Sequence, residues 1–147
     1  MKDGEIIQSG TPNDIYTKAN SPFIASFIGS MNFIPAKVIN GEKVKCHQVE
    51  VNCKTKGFAE NKAVQIAIRP EDIRFNKENE NDNLINAKIN EIEFLGAFQR
   101  IYFYSSAISS NSIIMDIPSS SARKIKLTIG DELNLYFSQE DTKVYQV

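Results

Sequence analysis

Val64-Gln65-Ile66-Ala67-Ile68-Arg69-Pro70-Glu71-Asp72-Ile73-Arg74-Phe75 decides the fold class. Val64, Ile66 and Ile68 recur at every second position, the period of a strand with one buried face. Arg69-Pro70 then stops the pattern. Proline has no N–H for a ladder and restricts the residue before it, so the strand must end here. Glu71 and Asp72 fall in a tight turn, and Ile73 re-enters the core. The corner reads as a structural device stabilised by an Arg69 ion pair, or as a surface for a partner subunit, with Arg69, Pro70, Glu71 and Asp72 as the candidate residues.

The same grammar extends in both directions. Phe33 to Ile39, Lys43 to Cys46 and Val49 to Lys54 are candidate strands upstream, with Asn40-Gly41 as a turn signal. Downstream, Asn76 to Asn83 (NKENENDN) holds no apolar residue and reads as a solvated loop. Leu84 to Leu95 is a long alternating strand, and Gly96 allows a bend or bulge. Phe98 to Tyr104 and Ser112 to Ile117 alternate again. Pro118 to Ser121 reads as a polar connection. Ile129-Gly130-Asp131 turns into a strand carrying Leu133, Leu135 and Phe137, and Lys143 to Val147 is the last strand. Eight or nine short strands between turns argue for a mostly-β barrel or sandwich.

The first thirty residues follow other rules. Asp3-Gly4 is a hairpin turn signal followed by the short extended Glu5 to Gln8. Thr11-Pro12 and Ser21-Pro22 each read as a helix start, a cap followed by a first-turn proline. Phe23, Ile24, Phe27 and Ile28 fall on one helical face, and Gly29 supplies the stop. Two such short helices are too small to fold alone. Burying those four side chains is worth about 6–12 kcal/mol. They are therefore the candidate docking segment, onto another copy of the chain, with Gly29-Ser30 as hinge.

Composition narrows the function. The 147 residues are 41% hydrophobic and 24% charged, an ordinary globular balance. Net charge is -1, from 17 basic and 18 acidic side chains, which lacks the basic excess of a nucleic-acid binder. No apolar run is long enough to span a membrane as a helix. No GxxxxGK(S/T) phosphate loop occurs. The single histidine, His47, reads as a half-exposed strand residue without the oriented partner a catalytic base needs. Cys46, His47 and Cys53 have the wrong spacing for a zinc knuckle, so buried reduced thiols are the expectation. Glu91 and Glu93 share a strand face that reads as the solvent side. Phe94, Phe98, Tyr102 and Tyr104 could stack bases, but without a basic stripe they read as core. No catalytic, cofactor-binding or metal-ligating residue is singled out.

Two stretches carry a resemblance. Asp3 to Pro12, Ile15-Tyr16 and Pro22 to Gly29 resemble the closing segment of the ATP-binding subunit of ABC transporters, in the importer branch. Ile68-Arg69-Pro70-Glu71-Asp72-Ile73 resembles the signature of the domain that follows it there, the transport-associated OB (TOBE) domain. The resemblance implies an OB-like or MOP-like β-barrel over residues 31–147, preceded by a short α-helical remnant of the nucleotide-binding domain over 1–30. It implies that Met1 is an internal position of a longer subunit. The role implied is that of a C-terminal regulatory and dimerisation domain. The partners implied are a second copy, the membrane subunits reached through the ATPase domain, and a regulatory protein or small ligand, with no nucleic acid. ATP and Mg belong to the parent subunit, an ABC-type ATPase on the cytoplasmic face of the membrane; this chain has no positions that match those motifs and is not itself expected to be an enzyme. Glu93-Phe94-Leu95-Gly96-Ala97-Phe98 is most similar to the iron, polyamine and phosphonate importers. The rival reading is a stand-alone barrel that binds a small ligand or an oligonucleotide.

Overall fold

The alternation at residues 64–68 is a strand in the computed structural model, which describes residues 30–108 and 112–147. The readings made on residues 1–29, the docking segment included, lie outside the described residues. Residues 32–147 form one compact unit.

Among the described residues nine strands build it: β1 (Asn32–Asn40), β2 (Lys43–Cys46), β3 (Val49–Asn52), β4 (Ala63–Ile68), β5 (Asn83–Phe94), β6 (Phe98–Tyr104), β7 (Ser112–Pro118), β8 (Glu132–Phe137) and β9 (Lys143–Gln146). They form two antiparallel sheets, one ordered β3-β2-β1-β4-β9 and the other β7-β6-β5-β8. Alternate residues of both sheets face one core. Ile34, Val38, Val44, Val64, Ile66 and Ile68 come from the first sheet. Ile85, Ile89, Ile101, Phe103, Met115 and Phe137 come from the second. Each such side chain contributes about 1.5–3 kcal/mol by leaving water. The expected mostly-β barrel is what the two curled sheets make. Among the described residues no helix is long and apolar enough to cross a membrane.

Side chains and single bridges close the gaps between the sheets. Asn32 on β1 bonds both backbone groups of Ile114 on β7. Asn83 on β5 does the same to Asn52 on β3, accepting its N–H at 2.7 Å and donating to its carbonyl at 3.0 Å. Arg74 and Tyr136 exchange two backbone bonds of 2.8 Å. The Gln48 N–H reaches the Ala107 carbonyl at 3.0 Å. Edge strands otherwise present unpaired backbone to solvent, so these links are part of the closure.

Four expectations need correction. His47 is not on a strand: it is exposed in the turn between β2 and β3 at φ 58, a left-handed conformation that reverses the chain. Pro118 ends β7, and Ser119–Ala122 form a single helical turn rather than a loose connection, because the Ser119 hydroxyl and N–H bond the Gly96 and Ala97 carbonyls of the β5–β6 hairpin. The polar run 76–83 is exposed only to residue 81; the Asp82 side chain and Asn83 turn inward to bonding partners. The aromatic set is not core. Phe94 is 69% and Tyr104 51% exposed, with Phe98 and Tyr102 half-buried. Phe98, Tyr102 and Tyr104 occupy the outer face of β6, whose inner face is Ile101 and Phe103.

Candidate functional site

The corner after β4 is a 3-10 turn, Pro70–Asp72, entered from an extended Arg69 at φ −74 and ψ 141. The Asp72 N–H closes the turn on the Arg69 carbonyl at 3.0 Å. Pro70 is buried, Arg69 and Asp72 are half-buried, and Glu71 is exposed. Ile73 is buried, as the alternation required. The turn packs against β7.

Burial dominates the electrostatics of this corner. It pushes the Asp72 carboxyl up to about 6, with Asp141 and Glu71 adding to the rise and Arg69 and Arg74 opposing it. It also lowers the Arg69 guanidinium, against the pull of Asp72 and Tyr145. Arg69 and Asp72 thus act on each other through their charges, and at both of them burial outweighs that attraction. The reversal itself is set by Pro70 and by the bond from the Asp72 N–H to the Arg69 carbonyl.

Arg74, just beyond, anchors the following loop. Its guanidinium donates to Asp82 Oδ2 at 3.1 Å and to the Asn76 carbonyl at 2.9 Å, with Glu78 at 3.7 Å. Asp82 Oδ2 also accepts the Glu78 and Asn79 N–H groups at 2.8 and 3.1 Å. The Arg74 hydrogen bond, joined by those two, holds the Asp82 carboxyl well below the usual carboxylate range.

The remaining candidates fall elsewhere. Cys46 and Cys53 are free and buried. Burial pushes both thiols up to about 12, Cys46 with a further contribution from Cys53, which leaves neither reactive at neutral pH. Glu91 and Glu93 are exposed, and Glu93 accepts the Tyr102 hydroxyl at 3.0 Å. On the same outer face Arg100 grips Asp116 with two bonds of 2.9 Å and stands 5.9 Å from the Phe98 ring. An apolar groove of about 550 Å³ runs along β1 and the start of β4, between Lys37, Lys45 and Val147. A second concavity, which the sequence reading missed, gathers Lys54, Lys56 and Lys143. Its residues are far apart in the chain; only the excess of lysine over acid in Lys54-Thr55-Lys56 hinted at it.

Comparison with known proteins adds what the geometry alone does not. The model of the TOBE domain family matches residues 66–144. An Fe(3+) ions import ATP-binding protein, FbpC 2 of Rhizobium meliloti (strain 1021), is 29% identical over 151 residues. That alignment covers 95% of this chain and 38% of the relative, so the chain spans well under half the relative's length. Among solved structures, the cytoplasmic molybdate-binding protein ModG, crystallised with molybdate, superposes with a TM-score of 0.67 at 8% identity. The match covers 79% of this chain and 96% of that one and establishes likeness of fold.

Proposed function

This chain belongs to the TOBE domain family, and we propose from that premise that it is the C-terminal part of the ATP-binding subunit of an ABC importer. It is similar to the C-terminal part of such subunits, and one observation carries the proposal. The alignment to the iron-import relative leaves only 5% of this chain outside it, so it runs through most of residues 1–30 as well as the barrel. A stand-alone ligand-binding barrel has no reason to match across both segments.

On this reading the barrel is a regulatory and dimerisation domain. Two copies meet and keep their ATPase domains together through opening and closing. ATP and Mg are held upstream, and the membrane subunits are reached through that upstream domain, on the cytoplasmic face of the membrane. The relative's name supports ferric iron as the solute; the hairpin Glu93 to Phe98 is equally compatible with polyamine or phosphonate systems. The corner Arg69 to Asp72 acts as a structural reversal, with Glu71 its only fully exposed side chain.

Sedimentation velocity on the 147-residue chain tests the dimerisation role. The expected result is a concentration-dependent dimer. A monomer up to about millimolar concentration would overturn that role, since even weak association becomes visible there.

A further inference from the structure

Three lysines line one open pocket of about 540 Å³. Lys54 and Lys56 come from the loop between β3 and β4, and Lys143 from the first position of β9. Gln139, Glu140 and Thr142, from the turn between β8 and β9, complete the lining. Three lysines against one carboxylate is a local excess of positive charge in a chain whose net charge is -1. Among the described residues, none of the three ammonium groups has a carboxylate in ion-pair contact.

Two of the three lysines are held in place. Lys56 sits at φ 54, followed by Gly57 at φ 76, so a left-handed turn aims its side chain. A non-glycine residue in that conformation is strained, and such strain gathers at functional positions. The Lys56 ammonium lies 5.1 Å from the centre of the buried Tyr145 ring, a cation–π contact. Lys143 Nζ donates to the Glu140 carbonyl at 3.3 Å. The wall behind them is firm: Thr142 is buried and donates its hydroxyl to the Ser138 carbonyl at 2.8 Å. Cations already ordered lose less side-chain freedom when a ligand arrives.

We infer that this pocket binds a small anion carrying two or more negative charges, a phosphate or a di- or tricarboxylate. Gln139 is also in the lining and carries an amide able to donate beside the three cations. Opposite charges a few ångströms apart near a protein surface attract, and salt screens that attraction. A multiply charged ligand collects that attraction from several lysines at once, which a singly charged ion cannot. Bound there, it ties the β3–β4 loop to the β8–β9 turn. The inference rests on the barrel's own geometry, independently of the transporter assignment.

Calorimetric titration of the 147-residue chain with inorganic phosphate, and separately with citrate, tests it at low ionic strength. Saturable binding is expected, tighter for citrate, weakening as sodium chloride is added. Lys54→Gln, Lys56→Gln and Lys143→Gln should each weaken binding by about tenfold, whereas Lys37→Gln, outside the pocket, should leave it unchanged. Amide shifts on adding citrate to the unmodified chain should centre on residues 54–56 and 139–143, a readout that needs no variant to fold. Absence of saturable heat with both probes, binding undiminished in the three variants, or shifts confined to another region would each overturn the proposal.

Discussion

Asn32 Nδ2 donates to the Ile114 carbonyl at 2.8 Å while Asn32 Oδ1 accepts the Ile114 N–H at 2.7 Å. An amide side chain thus does for the edge of β7 what a neighbouring strand would do. The side chain reproduces the donor–acceptor pair of a peptide group, and Asn32 is itself only 5% exposed. Asn83 repeats the device on Asn52 at the edge of β3.

Removing either amide should leave two backbone groups without partners. Asn32→Ala and Asn83→Ala are each expected to lower stability by about 1–3 kcal/mol. Asn32→Asp should also destabilise, because a carboxylate cannot donate to the Ile114 carbonyl. The two bridges share no partner, so the double alanine variant should lose the sum within about 0.5 kcal/mol. Urea denaturation measures all four. Single losses below about 0.5 kcal/mol, the range of ordinary surface substitutions, would show that the sheets close without these amides.

Much of this architecture was legible in the residues. Val64, Ile66 and Ile68 alternate because one face of β4 is core, and Pro70 ends that strand where proline chemistry says it must. The asparagine bridges were not legible, because Asn32 and Ile114 meet only through tertiary packing. The aromatics of β6 misled for a related reason. Period-2 alternation says that Ile101 and Phe103 oppose Phe98, Tyr102 and Tyr104, but not which set faces inward. His47 misled because a left-handed residue within a two-residue reversal leaves no mark on apolar periodicity. At the corner, the electrostatic coupling of Arg69 and Asp72 was readable from adjacency. The convergence of Lys54, Lys56 and Lys143 was not, since it depends on where β9 lies.

Asp72 and Asp82 should respond to pH in opposite senses. Burial raises the Asp72 carboxyl to about 6, so its ionisation works against the fold. Relative to the unfolded chain its contribution is most favourable below about pH 4 and is lost as pH rises through about 6. Asp82, bonded first of all by Arg74, is depressed. Its stabilisation is complete above about pH 4 and is lost as pH falls further. Asp72→Asn should therefore raise the melting temperature at about pH 7.5 and lose that advantage towards about pH 4. Asp82→Asn should lower it at about pH 7.5, with the deficit closing in stronger acid. Melting curves across this range decide; an Asp72→Asn effect independent of pH would contradict the first assignment, and an Asp82→Asn variant as stable as the parent at neutral pH the second.

Phe23, Ile24, Phe27 and Ile28 are expected to dock on another copy. Deleting residues 1–30 should then lower both the oligomeric state and the melting temperature. If the shortened barrel sediments and melts as the full chain does, the segment has no docking role.

Nucleotide chemistry should be absent from the chain on its own. The sequence has no phosphate loop, and its glycines are too scattered to form an anion nest. Titration with Mg-ATP should give no saturable micromolar heat. The lysine pocket is open to polyphosphates, so any weak binding should weaken further, by about tenfold, in Lys143→Gln. Micromolar binding that survives this change would reveal a nucleotide site of the barrel's own.

The assignment to an importer's ATP-binding subunit is tested most directly by sequencing the genomic DNA upstream of the Met1 codon and translating it in the same frame. The expected result is a continuous nucleotide-binding domain leading into Asp3-Gly4, with a GxxxxGK(S/T) loop near its start. A frame without such a loop, over the length by which the iron-import relative exceeds this chain, would contradict it.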